Sequence, residues 1–185
     1  MTYGGSCSSS TTAATSGNNT IDLSTLSDGT YDNCTITVTD SAGNAGNTIT
    51  LTAFTIDTVA PTVTSIFPSD GATQIGTYSI GTGLIYIIFS EVMDPSSITV
   101  NNSNTACSGT IQVSADSFST CLKMAQHAPH SPSFSINKTF YFPTSSNLDY
   151  STTYKIRVTS NVADLVGNKL ATQYTSSSGF TTDTQ

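Results

Sequence analysis

Thr35-Ile36-Thr37-Val38-Thr39-Asp40-Ser41-Ala42-Gly43-Asn44-Ala45-Gly46-Asn47-Thr48-Ile49-Thr50-Leu51-Thr52 reads as two short strands around a reversal. Hydroxyl and apolar side chains alternate on both sides of the turn, the period of two that a half-buried strand needs. Thr is β-branched and suits a pleated surface. Residues 40–47 hold Asp, Asn, Ser, Ala and Gly, and Gly and Asn tolerate the positive φ of a tight reversal. The same pattern recurs downstream, with strands expected at Val63–Phe67, Leu84–Phe89, Ile98–Val100, Thr110–Val113, Phe118–Met124, Lys138–Phe142, Tyr154–Thr159 and Gly179–Thr182. No window carries a helical stripe. The nearest is Asp94-Pro95-Ser96-Ser97-Ile98, a short turn with Asp94 as its cap and Pro95 at its first position. The chain is therefore expected to be an all-β protein of sandwich type.

Composition agrees with this and excludes several functions. Thr and Ser make up 63 of the 185 residues, while Asp, Glu, Lys and Arg together make up 9%. Such a composition also occurs in disordered linkers, but a linker has no need to hold its hydroxyls in register with apolar neighbours. Loops are expected at Ser6–Ser16 and Ser176–Ser178. The first 122 residues contain no Lys or Arg and the net charge is -7, so no basic patch exists there to neutralise a nucleic acid. The longest apolar run, Leu84–Phe89, is far below the roughly 20 residues needed to span a bilayer, so no membrane insertion is expected. The N-terminus lacks the apolar stretch of a signal peptide, so if the protein is exported the chain is expected to be a fragment with an added start Met.

Four cysteines without a CxxC pair point to disulfides rather than zinc. Three pairings are possible. Cys7–Cys34 and Cys107–Cys121 are favoured because each stays within one half of the chain. Disulfides imply an oxidising compartment, hence an extracellular or cell-surface protein; four free thiols in a cytosolic protein are the alternative.

A short internal repeat sets the boundaries. Asp40-Ser41-Ala42-Gly43-Asn44 is echoed by Asp164-Leu165-Val166-Gly167-Asn168, and Phe54-Thr55-Ile56-Asp57-Thr58 by Phe180-Thr181-Thr182-Asp183-Thr184. Residues 1–57 and 62–185 then form two modules. Residues 58–61 form a linker stiffened by Pro61.

Asp57-Thr58-Val59-Ala60-Pro61 resembles the linker between tandem bacterial Ig-like repeats. Residues 62–183 resemble the S-layer-type bacterial Ig-like domain through Pro68-Ser69-Asp70-Gly71-Ala72, Ile87–Ile98 with its Phe89-Ser90-Glu91-Val92-Met93-Asp94 run, Thr153–Val158 and the Asp164–Asn168 turn. Residues 3–57 resemble the later part of another such repeat. The resemblance implies tandem Ig-like β-sandwiches, the first truncated at its N-terminus. It further implies stalk, spacer or adhesive modules of a secreted or surface repeat protein, some of which hold calcium between repeats. The expected partners are neighbouring Ig-like repeats, with self-association through the open first module (a strand from another copy filling the gap) as a further expectation.

Calcium is the one cofactor the residues suggest, because acidic and amide oxygens gather in turns: Asp40, Asn44, Asp57 and Asp70. The competing reading is that Asp40, Asp70 and Asp164 accept hydrogen bonds within ordinary turns. Glu91 with Asp94, and His127 with His130, read as a strand-turn signature and an exposed loop. No nucleophile, base and orienting group assemble into a catalytic set, so no enzyme is expected. Tyr78, Tyr86, Phe140, Tyr141 and Phe142 offer either core packing or a sugar-stacking platform. A carbohydrate- or protein-binding module is therefore the alternative to a spacer.

Overall fold

The computed structural model describes residues 1–77, 85–103, 106–124 and 137–185. The expectations for Tyr78, Leu84, His127 and His130 lie outside the described residues. The chain divides into two compact units, Met1–Thr58 and Val59–Gln185.

Unit 1 contains β1 (Thr2–Gly4), β2 (Gly29–Tyr31), β3 (Thr35–Thr37), β4 (Ile49–Thr50) and β5 (Phe54–Ile56). They form a three-stranded sheet in the order β1-β3-β4 and a two-stranded pair, β2-β5. The quoted hairpin is present as β3 and β4, with Thr35 opposite Thr50 and Ile36 opposite Ile49. Its alternating threonines work across strands: the hydroxyls of Thr37 and Thr48 lie 2.8 Å apart. Those of Thr30 and Thr55, on β2 and β5, lie 3.3 Å apart. Cross-strand hydroxyl pairs of this kind are a recognised source of sheet stability.

Unit 2 contains β6 (Val63–Phe67), β7 (Ile85–Phe89), β8 (Ile111–Ser114), β9 (Thr139–Phe142), β10 (Thr153–Val158), β11 (Tyr174–Thr175) and β12 (Phe180–Thr181). One sheet runs β6-β7-β9. In the other, β10 pairs with β8, β11 and β12. Inward side chains of both sheets meet in one apolar cluster: Ile66, Ile85, Ile87, Phe89, Phe140 and Phe142 from the first, and Ile111, Val113, Tyr154, Ile156, Val158 and Phe180 from the second. Two sheets packed face to face over a shared core make a β-sandwich. Asp94 caps the 3₁₀ turn Pro95–Ser97, accepting from the Ser96 N–H, with Pro95 in the first turn.

Two expected strands are corrected. Phe118–Met124 is not a strand. Asp116 gathers the backbone N–H and hydroxyl of Thr120 and the hydroxyl of Ser114, and so folds the chain over. Ser117 and Phe118 adopt positive φ in that turn, which strand pairing does not permit. Ile98–Val100 is likewise no strand; only Val100 bridges, in parallel, to Ile111. Four short strands, β1, β2, β5 and β11, lie outside the expected set.

The two units share one local architecture. In unit 1 the Asp40 N–H donates to Asn44 O and the Gly46 N–H to Val38 O. In unit 2 the Asp164 N–H donates to Asn168 O and the Leu170 N–H to Val162 O. Gly43 and Gly167 take φ of 93° and 100°, which a side chain would disfavour. Tyr31 pairs and stacks with Phe54 as Tyr154 does with Phe180, at ring separations of 5.4 and 5.7 Å. The neighbouring threonines pair in the same way, Thr30 with Thr55 and Thr153 with Thr181. The strand order β1-β3-β4 thus matches β8-β10-β11, with β2 and β5 standing for the start of β10 and for β12.

Their interiors differ. Tyr154 and Phe180 are each 1% exposed, and Val162 is fully buried. Tyr31 and Phe54 are only half-buried, and Val38 is 41% exposed. In residues 1–58 the buried side chains are Cys7 and Cys34.

Candidate functional site

The acidic turns are the first candidate. Asp40 sits after β3. One carboxylate oxygen accepts the N–H groups of Ala42 and Asn44 at 2.9 and 2.8 Å, and the other accepts the Asn44 side-chain amide at 2.9 Å. These bonds, the Asn44 amide foremost, hold the Asp40 carboxyl below its usual range. Asp164 repeats the arrangement with Val166, Gly167 and Asn168. Both Asp residues bind the donors of their own turns, as a tight Asx reversal requires.

Asp70 works at longer range. Its carboxylate accepts the Ser177 hydroxyl at 2.6 Å and the N–H groups of Ser177, Ser178 and Gly179 at 2.9, 2.9 and 2.7 Å. It therefore clamps the chain after β6 to the connection between β11 and β12. The Ser177 hydroxyl is the main cause of a carboxyl lowered to about 2. Gly179 is required at the receiving end: its φ is +79°, and a Cβ would stand 2.3 Å from the Tyr154 carbonyl oxygen.

The structure thus unites Asp40 with Asn44 in one turn of unit 1 and places Asp70 in unit 2. Asp57 follows β5, and Thr58, the first residue of the expected linker, is bonded through its N–H and hydroxyl to the Asp28 carboxylate. Asp116 is the acid that sequence reading missed. The Thr120 N–H and hydroxyl lower it to about 2. Ser114-Ala115-Asp116 and Thr120, hydroxyls flanking an acid at turn spacing, were its signal.

The cysteines form two disulfides, Cys7–Cys34 and Cys107–Cys121. The second closes the loop that carries Phe118, whose ring lies 4.0 Å from the Arg157 guanidinium carbon. That guanidinium also donates to Gln112 at 2.6 Å, so this loop covers the outer face of β8.

The aromatics are divided between the two faces of the β6-β7-β9 sheet. Phe140 and Phe142 are buried in the core and cannot offer a stacking surface. Tyr86 and Tyr141 point outward with Phe67, which is 38% exposed. Phe67 stacks on Tyr86 at 5.1 Å and Tyr86 meets Tyr141 at 5.4 Å, a ladder across three strands.

The sequence that folds into this two-sheet sandwich, with its Asp-capped turn after β7, matches the model of the bacterial Ig-like domain family over residues 57–182. The chain belongs to that family. Bacterial Ig-like domains are structural and generally non-enzymatic modules. Neither a curated protein nor a solved structure matches the chain. Among the described residues, no helix is long and apolar enough to cross a membrane.

Proposed function

We propose that this chain is a spacer segment of a secreted or cell-surface bacterial protein, built from tandem Ig-like modules and supporting adhesion by a more distal part. The observation that carries the reading is the repeated Asp-x-x-Gly-Asn turn, together with the paired Tyr–Phe stack, in both units. The same strand scaffold used twice along one chain is what a modular stalk is made of. Two disulfides agree with an oxidising compartment.

Calcium belongs to the same reading as a stiffening ion, with Asp40, Asn44, Asp57 and Asp70 as its oxygen donors. The turn donors already hold Asp40 and Asp70 as anions, so an ion would add to these turns rather than create them.

Two measurements test the reading. Protease treatment of intact cells should release peptides of this chain without lysis; release only after lysis would overturn the surface assignment. The melting temperature should rise in millimolar Ca²⁺ and fall back with chelator, and an unchanged value removes calcium from the reading.

A further inference from the structure

Positive charge is scarce in this chain, which has five Lys and Arg against twelve acids. Two of the five, Lys155 and Arg157, stand on the same outward face of β10, about 7 Å apart along the strand. The strands of their sheet carry no acid. Arg157 is fixed from two sides. Its Nε donates to the Gln112 side-chain oxygen at 2.6 Å, and the Phe118 ring centre lies 4.0 Å from the guanidinium carbon. Neither Nη atom bonds to a described residue, and no carboxylate among the described residues pairs with Arg157 or Lys155. Asp116, in the loop after β8, and Asp70, at the connection between β11 and β12, are taken up by their own hydroxyl and N–H donors. Burial lowers the Arg157 guanidinium below its ordinary value, with no counter-charge to offset it. The outcome is a planar fork, held in orientation and partly desolvated, whose Nη edge is open.

We infer that Arg157 and Lys155 form a binding site for the carboxylate of an acidic sugar, a uronate within an otherwise neutral glycan. The two Nη groups match the two oxygens of a carboxylate and give parallel N–H···O bonds. Gln112 and Phe118 hold the fork before the ligand arrives, so little side-chain freedom is lost on binding. Lys155 adds a second positive charge without competing for the same edge. The neighbours favour a sugar over a protein. Thr175 stands opposite Arg157, and the Thr153 hydroxyl lies 2.9 Å from that of Thr181. The outward strand residues of this sheet are hydroxyl, amide or cationic, whereas protein interfaces are anchored by aromatic and Arg side chains packed in apolar pockets. The net charge of -7 repels long polyanions and so selects isolated uronates. The site is separate from the acidic turns and does not depend on the spacer reading.

The probe is cellobiouronic acid, with cellobiose as its neutral counterpart, titrated into the isotope-labelled full chain and followed by NMR. The acidic disaccharide should shift the Arg157 Nε–H and the amides of Lys155, Arg157 and Thr175, saturating in the millimolar range. Cellobiose should give no saturating shift. Raising NaCl from about 0.01 M to about 0.15 M should weaken binding several-fold. Arg157→Gln should abolish saturation, and Arg157→Lys, which keeps the charge and loses the fork, should weaken binding about tenfold. Lys155→Gln leaves the Phe118 contact in place and should weaken binding several-fold, with the rest of its spectrum superimposing on that of the wild type. Equal shifts with cellobiose, no saturation by the acidic disaccharide, or affinity retained in both R157Q and K155Q would each overturn the inference. So would acetate binding as tightly as the disaccharide, which would make this an ordinary counter-ion position. Tighter binding of the blocked tripeptide acetyl-alanyl-glutamyl-alaninamide would overturn it too, by making the partner a protein. Failure of the cell-surface or calcium measurements leaves this readout untouched.

Discussion

At the scale of single residues, aspartate is used as a fastener. Asp40, Asp70, Asp116 and Asp164 each collect several donors, and each sits where the chain turns. Asp70 is the most consequential, because its donors are more than a hundred residues away. Replacing it with Ala leaves three N–H groups and a hydroxyl to water. Charge-assisted bonds are worth about 1.5–3 kcal/mol when buried, and solvent exposure here reduces the expected loss to about 1 kcal/mol. Asp70→Ala should lower the melting temperature of unit 2 by roughly 4 °C at neutral pH. The sign of the pH dependence follows from the lowered carboxyl. The Asp70 contribution is fully present above the ordinary value of 3.8 and is lost as pH falls toward about 2. The wild-type and D70A melting temperatures should therefore converge across that interval. A gap that persists at pH 2 would show that the clamp does not depend on the carboxylate.

At the scale of elements, the legible parts of the fold were those where a local pattern and its burial agree. The strands β6, β7 and β10 are apolar or alternating runs that the core confirms, and Asp94-Pro95 announced its own turn. The Phe118–Met124 segment misled because its apolar residues serve other purposes. Phe118 packs against Arg157 from a left-handed backbone, and Cys121 is committed to a disulfide. The strands β1, β2 and β11 are two or three residues long and are defined by their partners rather than by periodicity. The echo of Thr30-Tyr31 in Thr153-Tyr154 was visible in the sequence, but a dipeptide acquires meaning only once both pairs are seen against Phe-Thr on the next strand. Among the acids, the self-contained turns at Asp40 and Asp164 were readable from spacing. The Asp70 clamp was not, because its partners are set by the tertiary fold. The elements of unit 1 also make a prediction about its staple. Converting Cys7 and Cys34 to Ala together should cost unit 1 about 3 kcal/mol and expose residues 1–58 to proteolysis by a protease that does not require Lys or Arg. Residues 59–185 should resist under the same conditions. Equal resistance of both units would show that unit 1 has another source of stability.

At the scale of the whole molecule, the two units share a local turn and aromatic pair and are stabilised differently. Unit 2 has a continuous apolar cluster drawn from two sheets. Unit 1 has a disulfide and hydroxyl pairs around half-buried aromatics. Calorimetry should resolve two transitions, with the lower one belonging to residues 1–58. At about 0.7 kcal/mol of unfolding enthalpy per residue, its 58 residues would contribute at most about 40 kcal/mol, and the thin core places it below that. A single cooperative transition for the whole chain would contradict this division.

The threonine pairs across β2 and β5, β3 and β4, and β10 and β12 have a consequence for habitat. Neutral hydroxyls offer nothing for dissolved ions to screen, unlike the exposed ion pairs that weaken as the Debye length shrinks. With so few charges on the strands, the outer coat of this molecule should hold much the same in dilute fresh water as in brine.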